Sequence, residues 1–199
     1  MAAFIIPDSQ LDNDHQMKPS NAQFPVLGLV ADKGIGKTTL LLKLLPLLCE
    51  RGLCVGVIKH VHQNFEVDRP GTDSFELRKA GAQHMLVTSN QRWALMVERE
   101  YEHEPRLEEH IAQMDMSVLD LVLVEGFTQS NFPKIELHRP SLGKPLLFAG
   151  DKNVIAVASD SPLILPDHVE LLDLNNERQI ADFISKRFLP QYLHSRSRP

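Results

Sequence analysis

Residues 26–39 read Val-Leu-Gly-Leu-Val-Ala-Asp-Lys-Gly-Ile-Gly-Lys-Thr-Thr, and this stretch decides the fold. Its apolar first part, ending at Ala31, predicts a β-strand, and the glycines that follow predict a loop. Lys-Thr-Thr then opens a leucine-dense segment that predicts a helix reaching about Arg51. A strand, a glycine-containing loop and a helix in this order are typical of a P-loop, the main-chain cradle that binds nucleotide phosphates.

The residue types of this loop suit a triphosphate. Gly34 and Gly36 allow backbone conformations that turn successive N–H groups toward phosphate oxygens. Lys37 is expected to reach the β- and γ-phosphates, and the Thr38 hydroxyl is expected to hold Mg²⁺. The helix that begins near Lys37 directs the positive end of its dipole at the same anion. We therefore predict a phosphate-binding loop that consists of Lys33, Gly34, Ile35, Gly36, Lys37, Thr38 and Thr39.

One residue departs from the usual P-loop pattern. The pattern starts with glycine, whereas this chain has Ala31 at that position. Alanine is small, so the departure is mild. An ordinary glycine-containing turn is the alternative, but nucleotide binding is favoured because the flanking strand and helix both occur where the motif requires them.

Composition places the chain among ordinary globular proteins. Its 199 residues are 43% apolar and 24% charged, which suits a single domain with a sizeable core. A net charge of −5 and a pI near 6.0 argue against broad electrostatic binding to nucleic acid or to an anionic membrane. No apolar run approaches the ~20 residues of a membrane span, and the N-terminus lacks a signal-peptide pattern. Since the 2 cysteines predict no disulfide framework, we expect a cytoplasmic protein.

The chain is predicted to be one domain with two extensions. Residues 1–22 mix Pro, Asn, Asp, Gln and Ser without periodicity, which predicts a disordered N-terminal extension. Residues 23–189 are predicted to form a single P-loop nucleotide-binding domain. Residues 190–199 carry arginines and prolines and are expected to be a frayed tail.

Strand and helix patterns alternate along this domain, which predicts an α/β fold. We expect a P-loop NTPase-like, mostly parallel, doubly wound sheet. Runs at 84–88 and 92–98, separated by Ser-Asn-Gln, predict an antiparallel hairpin that extends it. Residues 134–139 alternate weakly and predict an outer strand. Asp73, with Glu76 three residues on, predicts the N-cap of a short helix. The remaining predicted elements are strands at 53–58, 119–125 and 154–158 and helices at 105–114 and 175–188.

Polar residues follow the predicted strands at the edge of the sheet where the P-loop lies. Ligands of doubly wound sheets bind beyond the carboxyl ends of the strands, so these residues are expected to meet the loop. Glu125 is the predicted catalytic carboxylate and, with Thr38, a Mg²⁺ ligand, because an acid ending a buried strand is the usual partner of a P-loop. Gly126 would let the backbone pass close to the γ-phosphate. At the ends of the predicted strands 53–58, 119–125 and 154–158 these residues are Lys59-His60, Glu125-Gly126 and Ser159-Asp160, respectively.

Simpler roles remain open for several of these residues. Glu125 could be a solvated strand end. Lys59 and His60 could counter phosphate charge, or be hydrogen-bonded loop residues. His60, His62 and Asp68 could together bind a transition metal, which is the weaker interpretation. Asp68 is also a candidate Mg²⁺ ligand or water-positioning group.

Base recognition and hydrolysis are less clearly encoded. The Asn-Lys-x-Asp quartet that reads guanine in many GTPases is absent from the sequence. Asp160 is a candidate acceptor for the ring N–H groups of guanine, or it could cap the following segment. Arg69, Arg78 or a partner could supply a charge-stabilising arginine, and the sequence does not choose among them. We therefore expect slow turnover at most.

The chain resembles one known family, the molybdopterin-guanine dinucleotide biosynthesis adapter proteins, protein B of that pathway. Distinctive blocks are Gly-Val-Ile-Lys-His-Val-His at 56–62 and Val-Asp-Arg-Pro-Gly-Thr-Asp-Ser at 67–74. The joint order of the blocks is far more specific than the P-loop alone. The resemblance covers about residues 24–187, with further blocks at 31–39, 76–81, 91–96, 119–127, 133–136 and 154–160.

The resemblance implies a cytoplasmic homodimer that binds GTP with Mg²⁺. It also implies at most weak GTPase activity and two partners. One is the guanylyltransferase that attaches GMP to molybdopterin, and the other is molybdopterin itself. Departures from the family pattern concern basic residues near the phosphates. Thr72 and Thr128 stand where the family has lysine, whereas Lys33 adds a lysine inside the loop.

A P-loop kinase or phosphotransferase acting on a small metabolite is the alternative function. Such an enzyme needs arginines on a lid over the phosphates. The candidate lid, residues 99–117, contains only Arg99 and Arg106 among many acids. The adapter interpretation is therefore favoured.

Overall fold

The computed structural model describes residues 24–61, 65–99 and 104–193, so the predicted extension at 1–22 lies outside the described residues. Within this part of the chain the strands are β1 Val26–Val30, β2 Val55–Lys59, β3 His84–Thr88, β4 Trp93–Val97, β5 Leu121–Glu125, β6 Lys134–His138, β7 Val154–Ser159 and β8 Glu170–Asp173. The α-helices are α1 Lys37–Glu50, α2 Asp73–Lys79, α3 Leu107–Ile111, α4 Glu177–Asp182 and α5 Pro190–Leu193. A 3-10 turn lies at Pro140–Leu142 and a π-helical segment at Phe183–Phe188.

Six strands form one sheet in the order β2-β5-β1-β6-β7-β8. Every neighbouring pair in this sheet is parallel, which confirms the predicted mostly parallel α/β architecture. β1 lies between β5 and β6, so the loop after β1 has strand ends on both sides. Because all six strands run the same way, the residues that follow them meet at one edge, where ligands of such sheets bind.

The strand at 134–139 was predicted at the outside of the sheet, and this prediction is wrong. β6 lies between β1 and β7, and its polar side chains are buried. Lys134 donates to Asp151 at 2.6 Å, and Glu136 accepts from the backbone N–H groups of Leu147 and Phe148 at 2.8 and 2.9 Å. Buried polar groups are tolerated when they are hydrogen-bonded, and these partners lie far along the chain.

The predicted hairpin is present but does not extend the main sheet. β3 and β4 pair antiparallel, from His84↔Val97 to Thr88↔Trp93, and form a two-stranded sheet of their own. The short helix α2 precedes them. Its N-cap is Thr72, whose backbone is extended, and Asp73 is instead the first helical residue.

Helices cover both faces of the sheet. α1, together with α4 and the π-helical segment, packs against one face of β1, β5, β6 and β7, and it buries Leu40, Leu41, Leu44 and Leu48 there, whereas Leu42 is exposed. α3, Phe127 and Phe132 cover the other face beside β5. The helix predicted at 175–188 is divided into α4 and the π-helical segment, and α5 continues to residue 193, where the Tyr192 ring packs on Phe188 at 5.0 Å. None of the helices described has the length and apolar character that crossing a membrane requires.

Candidate nucleotide site

The loop between β1 and α1 has the backbone shape of a phosphate cradle. Gly34 and Gly36 have φ values of +88° and +112°, which L side chains rarely adopt. A Cβ at either position would meet nothing within 4 Å, so the loop faces open space. Ile35, between them, is buried and anchors the loop to the core. The loop is therefore open to an anion on one side and held by the core on the other.

The first turn of α1 presents its amides to this space. Gly36 is the N-cap, and no side chain caps the helix. The first intrahelical bond runs from the Leu40 N–H to the Gly36 carbonyl at 2.9 Å, so the N–H groups of 37–39 have no partner within the helix. These amides and the positive end of the helix dipole suit a phosphate group.

Lys37 lies back across the loop. Its Nζ donates to the carbonyls of Ala31 and Asp32 at 2.8 and 3.3 Å. These contacts hold the ammonium beside the predicted phosphate cradle, and they involve only main-chain oxygens of the loop itself. The ammonium can therefore serve an incoming phosphate without disturbing the core.

Thr38, Glu125 and Lys59, which were all expected at this edge of the sheet, contact one another at the mouth of the loop. The Thr38 hydroxyl donates to the Glu125 carboxylate, with Oγ1 at 3.2 Å from Oε1 and 3.3 Å from Oε2. Lys59 Nζ lies 3.3 Å from Glu125 Oε2 and 3.4 Å from Thr38 Oγ1. One ammonium thus contacts both candidate Mg²⁺ ligands. A hydroxyl and a carboxylate that share a cation fit Mg²⁺, which takes few protein oxygens and completes its shell with water and phosphate.

A sharp turn follows Glu125 and fixes its position. Gly126 has φ +103°, and Phe127 has φ +51°, a value rare for a residue with a bulky side chain. The His60 N–H donates to the Glu125 carbonyl at 2.8 Å, and a Cβ at Gly126 would lie 2.7 Å from the His60 Cβ. Gly126 therefore admits the close approach of the β2 end.

His60 takes part in aromatic packing beneath this turn. Its ring lies 4.8 Å from the Phe127 ring, which lies 6.0 Å from the His110 ring of α3. The structure thus shows a packing contact for the His60 ring, and the roles predicted for His60 at the phosphates, in loop hydrogen bonds or at a metal stay predictions. Phe127 was not identified from the sequence, because its role depends on the positive φ and on the approach of two distant elements.

Asp160 lies at the predicted edge, beside an arginine that the sequence did not single out. Arg139 Nη1 donates to Asp160 Oδ2 at 2.6 Å, and Arg139 Nε donates to the Ile35 carbonyl at 3.2 Å. Arg139 follows β6, whose place in the sheet was mispredicted. The correct position of β6 beside β1 would have indicated this neighbour of the P-loop.

Asp68 is held elsewhere, by Arg78. Arg78 donates to the two Asp68 oxygens at 2.5 and 3.3 Å, and it also binds Glu66 at 2.5 Å and Glu98. These hydrogen bonds lower the pKa of Asp68 and of Glu66 and raise that of Arg78. Asp68 thus lies in this ion-pair cluster and also forms a hydrogen bond with Ser74, whereas Thr38 and Glu125 bond to each other. Arg78, a predicted source of a catalytic arginine, is likewise committed to carboxylates.

The transition-metal alternative gains no support. His62 lies outside the described residues. Within residues 24–61, 65–99 and 104–193, no three side chains of His, Cys, Asp or Glu converge in a way that could hold a metal ion. A Mg²⁺ site made of Thr38, Glu125 and a bound nucleotide requires no such group, because the phosphates supply ligands.

Comparison with known sequences decides the family. The sequence profile described as MobB, molybdopterin guanine dinucleotide synthesis protein B, matches residues 26–160. The chain belongs to the MobB family. This match begins with β1 and ends at Asp160, so it contains the P-loop, Glu125 and Arg139, while β8 and α4 follow it.

Individual MobB relatives match most of the chain. The molybdopterin-guanine dinucleotide biosynthesis adapter protein of Escherichia coli is 52% identical over 161 residues, which are 80% of this chain and 91% of the relative. The protein of the same name from Haemophilus influenzae is 46% identical over 165 residues, 82% of this chain and 89% of the relative. The crystal structure of a MobB homologue from Bacillus stearothermophilus has a TM-score of 0.59 at 26% identity and covers 86% of this chain and 99% of that chain.

Proposed function

We propose that this protein is a GTP-binding adapter of molybdopterin-guanine dinucleotide synthesis. The observation that carries the nucleotide part is the contact of Thr38, Glu125 and Lys59 at the mouth of the P-loop. In this proposal Mg²⁺ is held by Thr38 and Glu125, and it neutralises charge on the β- and γ-phosphates. The phosphates are held by the loop amides and by the lysines, which are Lys33, Lys37 and Lys59.

The proposed partner is the guanylyltransferase that attaches GMP to molybdopterin, with molybdopterin itself as a second ligand. The relatives at 52% and 46% identity are named adapter proteins of this synthesis. Identity of this order over most of both chains supports a shared role. We further propose that the protein acts in the cytoplasm, as its cysteine content suggests.

Hydrolysis of GTP is proposed to be slow. A fast GTPase needs an arginine or an equivalent group free to stabilise charge on the transferred phosphoryl group. Arg78 is bound to three carboxylates, and Arg139 is bound to Asp160. Arg69, the other predicted source, is exposed in the loop between β2 and α2. Any residual, Mg²⁺-dependent turnover would use Glu125 to orient the ion and its water.

The kinase alternative receives no support from the candidate lid. Arg99 and Arg106 lie 3.8 and 3.9 Å from the carboxylate of Glu109, so each takes part in an ion pair within that segment.

We also propose that the protein is a homodimer that pairs through its hairpin. Trp93, Leu95 and Val97 alternate along β4, and Leu86 of β3 lies opposite Leu95; these four residues, here called the hairpin face, are all exposed. A two-stranded sheet is marginal alone, and a contiguous exposed apolar surface marks an interaction site. A second copy of the same hairpin would cover it.

A nucleotide competition experiment tests the proposed ligand. Titration calorimetry with GTP, in Mg²⁺ and then in EDTA, should show binding that weakens without the metal. ATP should displace GTP poorly, with an affinity at least about tenfold lower, because adenine does not offer the paired N–H donors that a carboxylate accepts. Equal affinities for GTP and ATP, or no binding of either, would contradict the proposal.

A further inference from the structure

Arg139 and Asp160 are neighbours across the sheet, just beyond the ends of two parallel strands. β6 and β7 are in register up to His138↔Ser159, and the next residue on each strand is Arg139 and Asp160. Their side chains meet at 2.6 Å, from Nη1 to Oδ2. The pair is therefore placed by the register of the sheet and not by a flexible loop.

The same guanidinium reaches the phosphate loop. Arg139 Nε donates to the carbonyl of Ile35 at 3.2 Å, and Ile35 lies between the two glycines that shape the loop. A guanidinium holds its donors in a rigid plane, so two simultaneous contacts fix the relative positions of their acceptors. Arg139 thus links the loop after β1 to the carboxylate after β7.

Local hydrogen bonds hold the end of β7 in a defined turn. The Ser161 N–H donates to Ser159 Oγ at 3.2 Å, and the Leu174 N–H donates to the Ser159 carbonyl at 2.9 Å. The Ser161 hydroxyl donates to Asp160 Oδ1 at 3.3 Å. With the backbone fixed on this side, the direction of the Asp160 carboxylate depends on Arg139 and on Ser161.

We propose that Arg139 is a positioning residue for guanine recognition, which holds the Asp160 carboxylate at a set position relative to the phosphate loop. The proposal rests on the proposed function of GTP binding. Guanine presents N1–H and N2–H donors side by side, and a carboxylate accepts both only when it lies at the right distance from the anchored phosphates. Arg139 contacts both the loop and the carboxylate, so it sets that distance.

Two other roles for Arg139 predict different measurements. A direct phosphate ligand would contribute equally to GTP, ATP and inorganic triphosphate, since all three share the anion. A purely structural ion pair would affect thermal stability, and only modestly because the pair is partly exposed to solvent, and it would leave nucleotide preference unchanged. Only a positioning role changes the preference between bases.

The test measures the ratio of GTP affinity to ATP affinity by calorimetry in Mg²⁺, in Arg139→Ala and in the parent protein. The affinity for inorganic triphosphate is measured in the same way and reports on the phosphate loop alone. We expect the ratio to fall by about tenfold, the equivalent of one charge-assisted hydrogen bond. Affinity for inorganic triphosphate should change by less than about threefold. In an Asp160→Ala background, Arg139→Ala should leave the ratio unchanged, because the positioned group is gone.

Arg187→Ala is the matched control. Arg187 forms an ion pair with Glu170 of the same length, 2.6 Å, at the far edge strand β8, and its removal should not alter the ratio. Arg139→Lys keeps the charge but lacks the planar fork, so it should also lower the ratio, and it carries the test if Arg139→Ala does not fold.

The outcomes separate this inference from the proposed function. An equal loss of affinity for GTP, ATP and triphosphate in Arg139→Ala would make Arg139 a phosphate ligand and overturn the positioning role. An unchanged ratio with a lowered Tm would reduce it to a structural ion pair. If the parent protein shows no preference for GTP over ATP, the proposed function itself fails, before any variant is considered.

Discussion

Lys59 occupies the point at which a divalent ion would be expected. Its ammonium lies within 3.4 Å of both the Thr38 hydroxyl and the Glu125 carboxylate, and it partly neutralises an acid that is otherwise almost buried. The Lys59 side chain is 48% exposed, so it can move into solvent without opening the core. Exchange of a monovalent for a divalent cation would then accompany nucleotide binding, and the displaced ammonium could contact a phosphate.

Lys37→Ala tests the phosphate loop at the level of one side chain. We expect GTP affinity to fall about 100-fold or more, because charge-assisted hydrogen bonds to two phosphates are lost, each worth about 1.5–3 kcal/mol. The fold should be retained, since Lys37 Nζ contacts only loop carbonyls. Calorimetry with GTP on the folded variant measures the change.

Lys43→Ala provides the control for this prediction. Lys43 lies on the same helix, is exposed, and approaches Glu177 at 3.9 Å, away from the loop. Its substitution removes the same charge from the same helix and should leave GTP affinity unchanged. Undiminished affinity in Lys37→Ala, or an equal loss in Lys43→Ala, would refute the assignment of the loop.

At the scale of elements, the turn after β5 links the ends of β2 and β5. Gly126 has a positive φ and also lies against the His60 Cβ. Gly126→Ala combines backbone strain of about 1–2 kcal/mol with a steric overlap of about 1–3 kcal/mol. We expect the free energy of unfolding to fall by about 2–5 kcal/mol, and the Mg²⁺ dependence of GTP binding to weaken because Glu125 is displaced.

Gly81→Ala separates the two contributions to this loss. Gly81 has φ +114°, and a Cβ there would meet nothing within 4 Å. Its substitution should cost only the backbone strain, about 1–2 kcal/mol by urea denaturation, and leave GTP binding intact. Equal losses of stability in the two variants would show that the contact with His60 has no energetic role.

The same elements show what a single sequence can predict. β5 was predicted with nearly its observed limits, because a strand buried on both faces has a continuous apolar sequence. β6 was misplaced because Lys134, Glu136 and His138 are buried although polar. Lys134 and Glu136 have partners at 147–151, and Lys134 Nζ also donates to the Ser130 carbonyl at 2.8 Å. β8 was missed, since only two leucines mark it.

The residues of the candidate site also differ in whether a local sequence pattern could indicate them. Thr38 and Glu125 were expected to lie together, because the P-loop motif and the strand-ending acid are both local signals, and their side chains are in hydrogen-bond contact. Their role as Mg²⁺ ligands stays a prediction. Arg139 and Phe127 were not identified. Their roles depend on which strand lies beside which, and strand order is a property of the whole sheet that no local pattern states.

At the scale of the molecule, acid should loosen the region that carries the hairpin. Arg78 of α2 binds Glu66, Asp68 and Glu98, and these contacts join the loop after β2, the helix and the end of β4. Its hydrogen bonds lower the pKa of Asp68 below the usual 3.8 and that of Glu66 below 4.5. An acid with a lowered pKa stabilises the fold above its unfolded-state pKa, and this contribution is lost as the pH falls through its folded-state value.

Urea denaturation between pH 7 and pH 3 should therefore show stability falling in acid, and Asp68→Asn should show a shallower decline. Glu136→Gln is the opposing control. Burial raises the pKa of Glu136, so the folded state takes up its proton more readily, and its ionisation opposes folding as the pH rises. Removing that carboxyl should make the free energy of unfolding fall more steeply as the pH is lowered. Identical pH profiles for Asp68→Asn and the parent protein would show that this ion pair does not set the acid response.

The proposed homodimer is tested at the hairpin face. Trp93, Leu95, Val97 and Leu86 lie on one side of a two-stranded sheet, and burying them against a second copy would stabilise a dimer at about 25 cal/mol per Å² of apolar surface. Leu95→Asp places a charge at the centre of this face and should convert the dimer to a folded monomer in sedimentation equilibrium. Ile164→Asp is the control, because Ile164 is equally apolar and 102% exposed but follows β7. The Ile164→Asp variant should remain a dimer. If Leu95→Asp sediments as the parent protein does, the interface lies elsewhere.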